Sequence, residues 1–141
     1  MRTEIARSPN EVRSCYPVLK ELHPDFSEHN FLETFHRISE GGYRLAFLED
    51  EDVVKSVVGF QIGESLAWKK HMYIADMVTL ESVRSQGYGE QMLAFAINHA
   101  RQQGCTQVHL DSRVIRHSAH KFYINQGFIQ GGYHFHMLLE D

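Results

Sequence analysis

Six consecutive residues, Arg84-Ser85-Gln86-Gly87-Tyr88-Gly89, carry the densest chemical signal in the sequence. Two glycines in a turn let the backbone pass close to a ligand. Where such a turn opens a helix, the free N–H groups and the positive end of the helix dipole face that ligand. Arg84 adds a full positive charge. Together these features suit a pyrophosphate; the same residues would also make a plain tight turn. Two phosphate-binding rivals fail on spacing. A P-loop needs Lys-Ser/Thr after its last glycine, and Glu90-Gln91 stand there. A dinucleotide fingerprint needs a third glycine, and position 92 is Met. Asp111 stands at a tempting distance for a ribose contact. The loop, however, falls mid-chain after an antiparallel region, and too little chain remains for a doubly wound sheet.

The ten histidines offer a second constellation. His117 and His120 sit three apart on a predicted helix, and His134 and His136 alternate on a predicted strand. Such pairs can hold a metal, but no cysteine cluster and no clear third ligand accompany them. We expect no metal. Cys15 and Cys105 lie far apart and read as free thiols in a reducing compartment.

The elements that position these residues follow from periodicity. Thr3 to Ala6 can form a short strand. Pro9-Asn10-Glu11 opens a helix to about Leu22, with Pro17 inside it as a kink or break. A helix follows from about Glu28 to Ser39, stopped by Gly41-Gly42. Tyr43 to Leu48 and Val53 to Ile62 read as antiparallel strands around the acidic run Glu49-Asp50-Glu51-Asp52, a solvated hairpin tip. After a connection at Ser65 to Lys70, His71 to Leu80 is a longer, more apolar strand. From Gly87 a helix shows Met92, Leu93, Ala96, Ile97 and Ala100 on one face, and Gly104 ends it. Gln107 to Leu110 is a strand, and Ser118 to Gln126 a helix stopped by Gly127. Phe128 to Leu139 reads as one or two strands bent near Gly131-Gly132. The order is β-α-α-β-β-β-α-β-α-β, a mixed α/β domain covering residues 1–141.

Composition bounds the rest. The 141 residues fit one domain, with 43% hydrophobic and 23% charged residues. A formal charge of −4 argues against a nucleic-acid backbone as partner. No run approaches the ~20 apolar residues of a membrane span. The charged start, Met1-Arg2-Thr3-Glu4-Ile5, is unlike a signal peptide, so a cytoplasmic location is expected.

Arg84-x-x-Gly87-x-Gly89 after a strand resembles the acyl-CoA loop of the GNAT superfamily of N-acetyltransferases. Ala119-x-x-Phe122-Tyr123-x-x-x-Gly127-Phe128 resembles that family's later helix and strand start. The two blocks are separated by a helix and a strand, as in the family, and the resemblance covers about Ile74 to Phe135. Asp76-Met77-Val78-Thr79, Leu110-Asp111-Ser112, Arg116-x-x-Ala119-His120-x-Phe122-Tyr123 and Tyr133-His134-Phe135 are similar to segments of a bacterial subgroup. Two positions depart from the family: Arg116 stands where many members carry Asn, and Ala75 where many carry Glu.

The resemblance implies a mixed, splayed sheet and acetyl transfer from acetyl-CoA to a primary amine through a tetrahedral intermediate. It implies that Met77, Val78 and Thr79 offer backbone N–H groups to the pantetheine and thioester. Arg84, Ser85, Gln86, Gly87, Tyr88 and Gly89 would hold the pyrophosphate. Tyr123 falls where the family places the acid for the departing thiolate, and a phenol of pKa ~10 can protonate a thiolate; it would otherwise be a packing aromatic. For the base, Asp76 is the first candidate, either catalytic or a structural carboxylate capping backbone N–H groups. His120, His134 and a water chain remain alternatives. In this fold the acceptor is shaped by the early helices and their loop, about His23 to Asn30, where Asp25 and Glu28 could meet a cationic amine. A non-catalytic acyl-CoA-binding module on the same fold and a histidine-based metal protein are the competing functions. A homodimer is allowed by the sequence.

Overall fold

The computed structural model describes residues 1–139 and resolves two compact units, Met1–Leu110 and the segment from Asp111 onward.

The first unit is a five-stranded sheet in the order β1-β2-β3-β4-β5. The strands are β1 (Arg2–Ile5), β2 (Arg44–Asp50), β3 (Val53–Ser65), β4 (Lys69–Thr79) and β5 (Gln107–Leu110). Neighbours are antiparallel except β4 and β5, which run parallel. Its helices are α1 (Pro9–Ser14), α2 (Tyr16–Leu22), α3 (Glu28–Glu40) and α4 (Tyr88–Gln102). The run expected as one helix is two. Pro17 lies in the first turn of α2, where its missing N–H costs nothing, and Cys15 separates the helices. Ser8 and Glu11 form a capping box at α1, and the Ser27 hydroxyl accepts from the Asn30 N–H at α3 (3.1 Å).

The hairpin between β2 and β3 turns on Glu51 and Asp52, both at positive φ, which matches strand twist. Only these two residues form the solvated tip. Glu49 pairs with Arg2, and Asp50 accepts from the Tyr88 hydroxyl at 2.8 Å. Leu45, Phe47, Val57 and Val78 join Val12, Cys15, Val18 and Leu19 in a core on the α1–α2 side. On the opposite face, Met92, Leu93, Ala96 and Ala100 of α4 are buried, and His99 rests on the Phe60 ring (5.5 Å between centroids).

The second unit contains α5 (His117–Asn125), ended by Gly127 at φ +99. The expected final strand is not present: residues 128–139 form neither strand nor helix. The alternation through Tyr133, Phe135 and Met137 supplies strand propensity, but a strand is a property of a hydrogen-bonded pair, and Gly131-Gly132 weakens it further. Among the described residues no helix is long and apolar enough to cross a membrane.

Candidate active site

A single irregularity in β4 decides where Asp76 points. Gly59 pairs with Asp76 and Phe60 with Ile74, so Ala75 is an extra residue opposite neither. Ile74, paired with Phe60, lies on the α4 face. Asp76, paired with Gly59, lies with Val78 on the α1–α2 face. Two residues that simple alternation would put on one face are thus on opposite faces, as a β-bulge requires.

On that face Asp76 has two side-chain partners from distant parts of the chain. The Tyr43 hydroxyl donates to Oδ2 at 2.5 Å, and His23 Nε2 lies 2.5 Å from Oδ1. The carboxylate caps no backbone N–H in these contacts, so the structural alternative for Asp76 takes another form: a side-chain clamp. Tyr43 is buried, and burial, followed by the charge and hydrogen bond of Asp76, pushes its phenol far above the ordinary range. It therefore stays a donor at physiological pH. Gly59 makes the arrangement sterically feasible, because a Cβ there would collide with the Tyr43 hydroxyl. Tyr43 and His23 were not singled out as partners of Asp76 by sequence reasoning, and no local pattern marks them.

β5 pairs with β4 only over His71–Ile74, while β4 continues to Thr79. The strands part at the bulge. Among the described residues the edge of β4 beyond Ala75 has no ladder partner on the β5 side, and Thr79 O accepts from Arg84 Nε at 3.5 Å. On its other side this stretch is held by β3, and Ser56, fully buried, bonds to Val78 O (3.2 Å) and Thr79 Oγ1 (2.9 Å).

The chain then makes a 3₁₀ turn at Glu81–Val83 and the glycine-bearing turn. Glu21 of α2 accepts from the Glu81 N–H at 2.8 Å, anchoring the entry. Ser85 and Gly87 have φ of +65° and +87°. Gly87 caps α4 with no side-chain hydrogen bond, and the first intrahelical bond runs from Gln91 N to Gly87 O (3.1 Å). The N–H groups of Tyr88, Gly89 and Glu90 therefore have no helical acceptor. Arg84, Ser85 and Gln86 are exposed beside them. Tyr88 is the exception in this set, since its hydroxyl is spent on Asp50.

A cavity of about 120 Å³ opens against Asp76. Its walls come from α2, α3 and the chain between them, and they include His23 and Phe26 but neither Asp25 nor Glu28. Glu28 instead pairs with Arg13 at 3.6 Å, and Asp25 is exposed. Among the described residues, the carboxylate in the lining of this cavity is Asp76.

In the second unit, Tyr123 is half-buried on α5, with Phe128 and Phe122 edge-on at 5.7 and 5.4 Å. Burial raises its phenol above the ordinary value, against a smaller lowering by the charge of Arg116. His120 Nε2 lies 2.6 Å from Arg113 O, and His134 Nδ1 lies 3.6 Å from Asp111 Oδ2. His117 and His120 are edge-on neighbours (5.9 Å). Among the described residues no group of three or more His, Cys, Asp or Glu side chains is placed to hold a metal ion.

Comparison with known proteins places this geometry in context. A model of the acetyltransferase (GNAT) family matches residues 9–128. The uncharacterized N-acetyltransferase YhdJ of Bacillus subtilis (strain 168) is 31% identical over 130 residues, covering 91% of this chain and 92% of that protein. The aminoalkylphosphonate N-acetyltransferase of Salmonella typhimurium is 37% identical over 62 residues, 44% of this chain and 40% of that protein. Among solved structures, the aminoglycoside N-acetyltransferase AAC(6')-Iy in complex with CoA superposes with a TM-score of 0.82 at 14% identity, over 97% of this chain and 94% of that one.

Proposed function

The chain belongs to the GNAT family and is an acyl-CoA-dependent N-acetyltransferase; from that premise we propose that it moves an acetyl group from acetyl-CoA directly to a primary amine beside Asp76. The amine nitrogen attacks the thioester carbonyl carbon, a C–N bond forms, and the C–S bond breaks from the tetrahedral intermediate. The bound ammonium first gives a proton to the Asp76 carboxylate, directly or through one water, which frees the lone pair for attack; the second proton leaves nitrogen for solvent as the intermediate collapses. The departing thiolate takes a proton from the Tyr123 hydroxyl, which regains it from solvent. The free β4 edge at Met77-Val78-Thr79 lies along the pantetheine and donates to the developing oxyanion. Residues 84 to 89 hold the pyrophosphate through Arg84 and the open N–H groups at the start of α4.

The observation that carries this reading is the bulge at Ala75. It sets a carboxylate with two side-chain partners at the point where β4 loses its neighbour. Tyr43 and His23 are positioning residues: each holds one oxygen of Asp76 at the wall of the cavity. The test is thiol release from acetyl-CoA on adding amines, run beside calorimetry with CoA. Asp76→Asn keeps the shape and cannot accept the proton at neutral pH. It should lower kcat/KM by about 10²–10⁴-fold, the usual contribution of a positioned base, with CoA affinity kept. Unchanged turnover in a folded Asp76→Asn variant would move the base elsewhere, to a histidine or to solvent.

A further inference from the structure

The cavity against Asp76 is built mostly of rings. Tyr16 and Phe31 lie 5.6 Å apart, Phe31 and Phe35 6.3 Å, and Phe35 and Tyr43 6.1 Å, all between centroids. This tilted and edge-on series runs from the mouth of α2 to the Tyr43 hydroxyl, and so to the carboxylate it holds. Leu19 and Ile38 close the remaining apolar wall. The polar lining residues are few: Lys20, His23, Thr34 and Asp76, besides the hydroxyls of the two tyrosines. Lys20 is turned toward the Tyr16 ring, with Nζ 5.9 Å from its centroid.

Size and polarity together restrict what fits. A dry apolar cavity of about 150 Å³ accommodates one benzene; this one, at about 120 Å³, takes a single ring or a branched alkyl group. It offers too few hydrogen-bonding groups to satisfy the hydroxyls of a sugar, and each one left unpaired on burial would cost affinity. Among the described residues Asp76 is the sole carboxylate of the lining, and the Lys20 ammonium is turned to the Tyr16 ring, so Asp76 attracts one ammonium and repels an anionic substituent close to the amine.

We propose that the acceptor is a compact monoamine whose amino group is carried on one aryl or branched-alkyl substituent, with the amine at Asp76 and the substituent in the ring-lined cavity. This specificity rests on the acetyl-transfer reading above and deepens it. Residues of α3, chiefly Phe31, Thr34 and Phe35, select the substituent, while Asp76 selects the charge.

The experiment measures thiol release by the full chain with acetyl-CoA and phenethylamine, isoamylamine, ethylamine, spermidine, aminoethylphosphonate and an aminoglycoside. Phenethylamine and isoamylamine should exceed ethylamine in kcat/KM by about 10–100-fold, the discrimination that burying one such group supplies. Thr34→Phe puts a ring into the cavity. It should raise KM for phenethylamine by roughly tenfold or more and so narrow its advantage over ethylamine. Phe26→Ala, at a partly exposed rim position, should weaken phenethylamine selectively and serves if Thr34→Phe does not fold. Preference for spermidine, the phosphonate or the aminoglycoside would overturn this specificity and leave acetyl transfer standing. Equal rates with ethylamine and phenethylamine would do the same. If no amine accelerates thiol release although CoA binds, the transfer reading fails, and the substrate assignment with it.

Discussion

Gly59→Ala is the smallest change that tests the geometry around Asp76. The new methyl would collide with the Tyr43 hydroxyl and lie 2.6 Å from its Cζ and 3.0 Å from Asp76 Oδ2. Tyr43 cannot simply retreat, because it is only 8% exposed and Phe35 lies edge-on behind it. If the ring stays, the site is overpacked, at a cost of about 1–3 kcal/mol. If the ring swings away, its hydrogen bond to a charged carboxylate is lost, about 1.5–3 kcal/mol. The two costs are alternatives and the backbone and neighbours share the strain, so we expect a net loss of about 1–3 kcal/mol, or a Tm lower by roughly 3–12 °C in a chain of this length. Because Asp76 loses a partner and its placement, kcat/KM should fall by about 10²-fold, with CoA affinity unchanged. Chemical denaturation, calorimetry and steady-state thiol release measure the three quantities. Adding Tyr43→Phe removes the atom nearest the new methyl. The double variant should recover part of the stability that Gly59→Ala loses, a coupling expected only for groups in contact. A Gly59→Ala protein within about 0.5 kcal/mol of the parent, or strictly additive effects in the double variant, would refute the packing of Tyr43 over Gly59.

The remaining outcomes concern the donor loop, the acid and the core thiol. Gly89→Glu sets bulk and negative charge at the start of α4, and CoA affinity should drop by at least about tenfold by calorimetry; an unchanged Kd in a folded protein would place the pyrophosphate elsewhere. Tyr123→Phe should lower kcat far more than it changes CoA affinity, since the hydroxyl acts only when the thiolate departs. Because burial raises the Tyr123 phenol, the loss of activity caused by its ionisation should lie above about pH 10, and a kcat profile already falling near neutrality would count against its role. Cys15, fully buried, has its thiol pushed from 9.0 up to about 12 by burial and then by the Glu11 charge. Above pH 9 the unfolded chain releases this proton and the folded chain keeps it. Stability should therefore fall by up to about 1.4 kcal/mol per pH unit until about pH 12, and the slope should shrink in Cys15→Ala, as followed by urea melts at stepped pH.

What could be read in advance, and what could not, divides along local against long-range structure. Gly104 and Gly127 mark helix ends by their chemistry alone, and both have positive φ. Pro17 announced a break that the backbone makes at Cys15. The turn and helix start at residues 84–89 were legible because they are contiguous in sequence. The face of Asp76 was not. Counting by twos along β4 puts Asp76 beside Met72 and Ile74, beneath α4, and only the skipped pairing at Ala75 moves it across the sheet. Its partners Tyr43 and His23 lie 33 and 53 residues away, with no periodic relation to it. Likewise Phe31 and Phe35 read as the apolar stripe of a helix, which they are. A stripe of this kind is wide enough to cover a sheet with one edge and line a cavity with the other.

The bulge also gives the departure at position 75 a physical meaning. Ala75 is exposed, whereas the next residue is drawn inward, 2.5 Å from a buried phenol. A carboxylate at 75 would leave the strand from the bulge itself. At 76 it leaves from the paired strand, on the side where α2 and α3 supply aromatic walls. Placing the acid one residue later thus commits it to the ring-lined cavity. On the proposed reading the proton acceptor and the acceptor pocket become one structure, with Asp76 clamped by Tyr43 and the clamp permitted by Gly59. On this reasoning the selectivity for an apolar amine and the basic function of Asp76 cannot be altered independently. A variant that moves Tyr43 should change the ranking of amines as well as the rate.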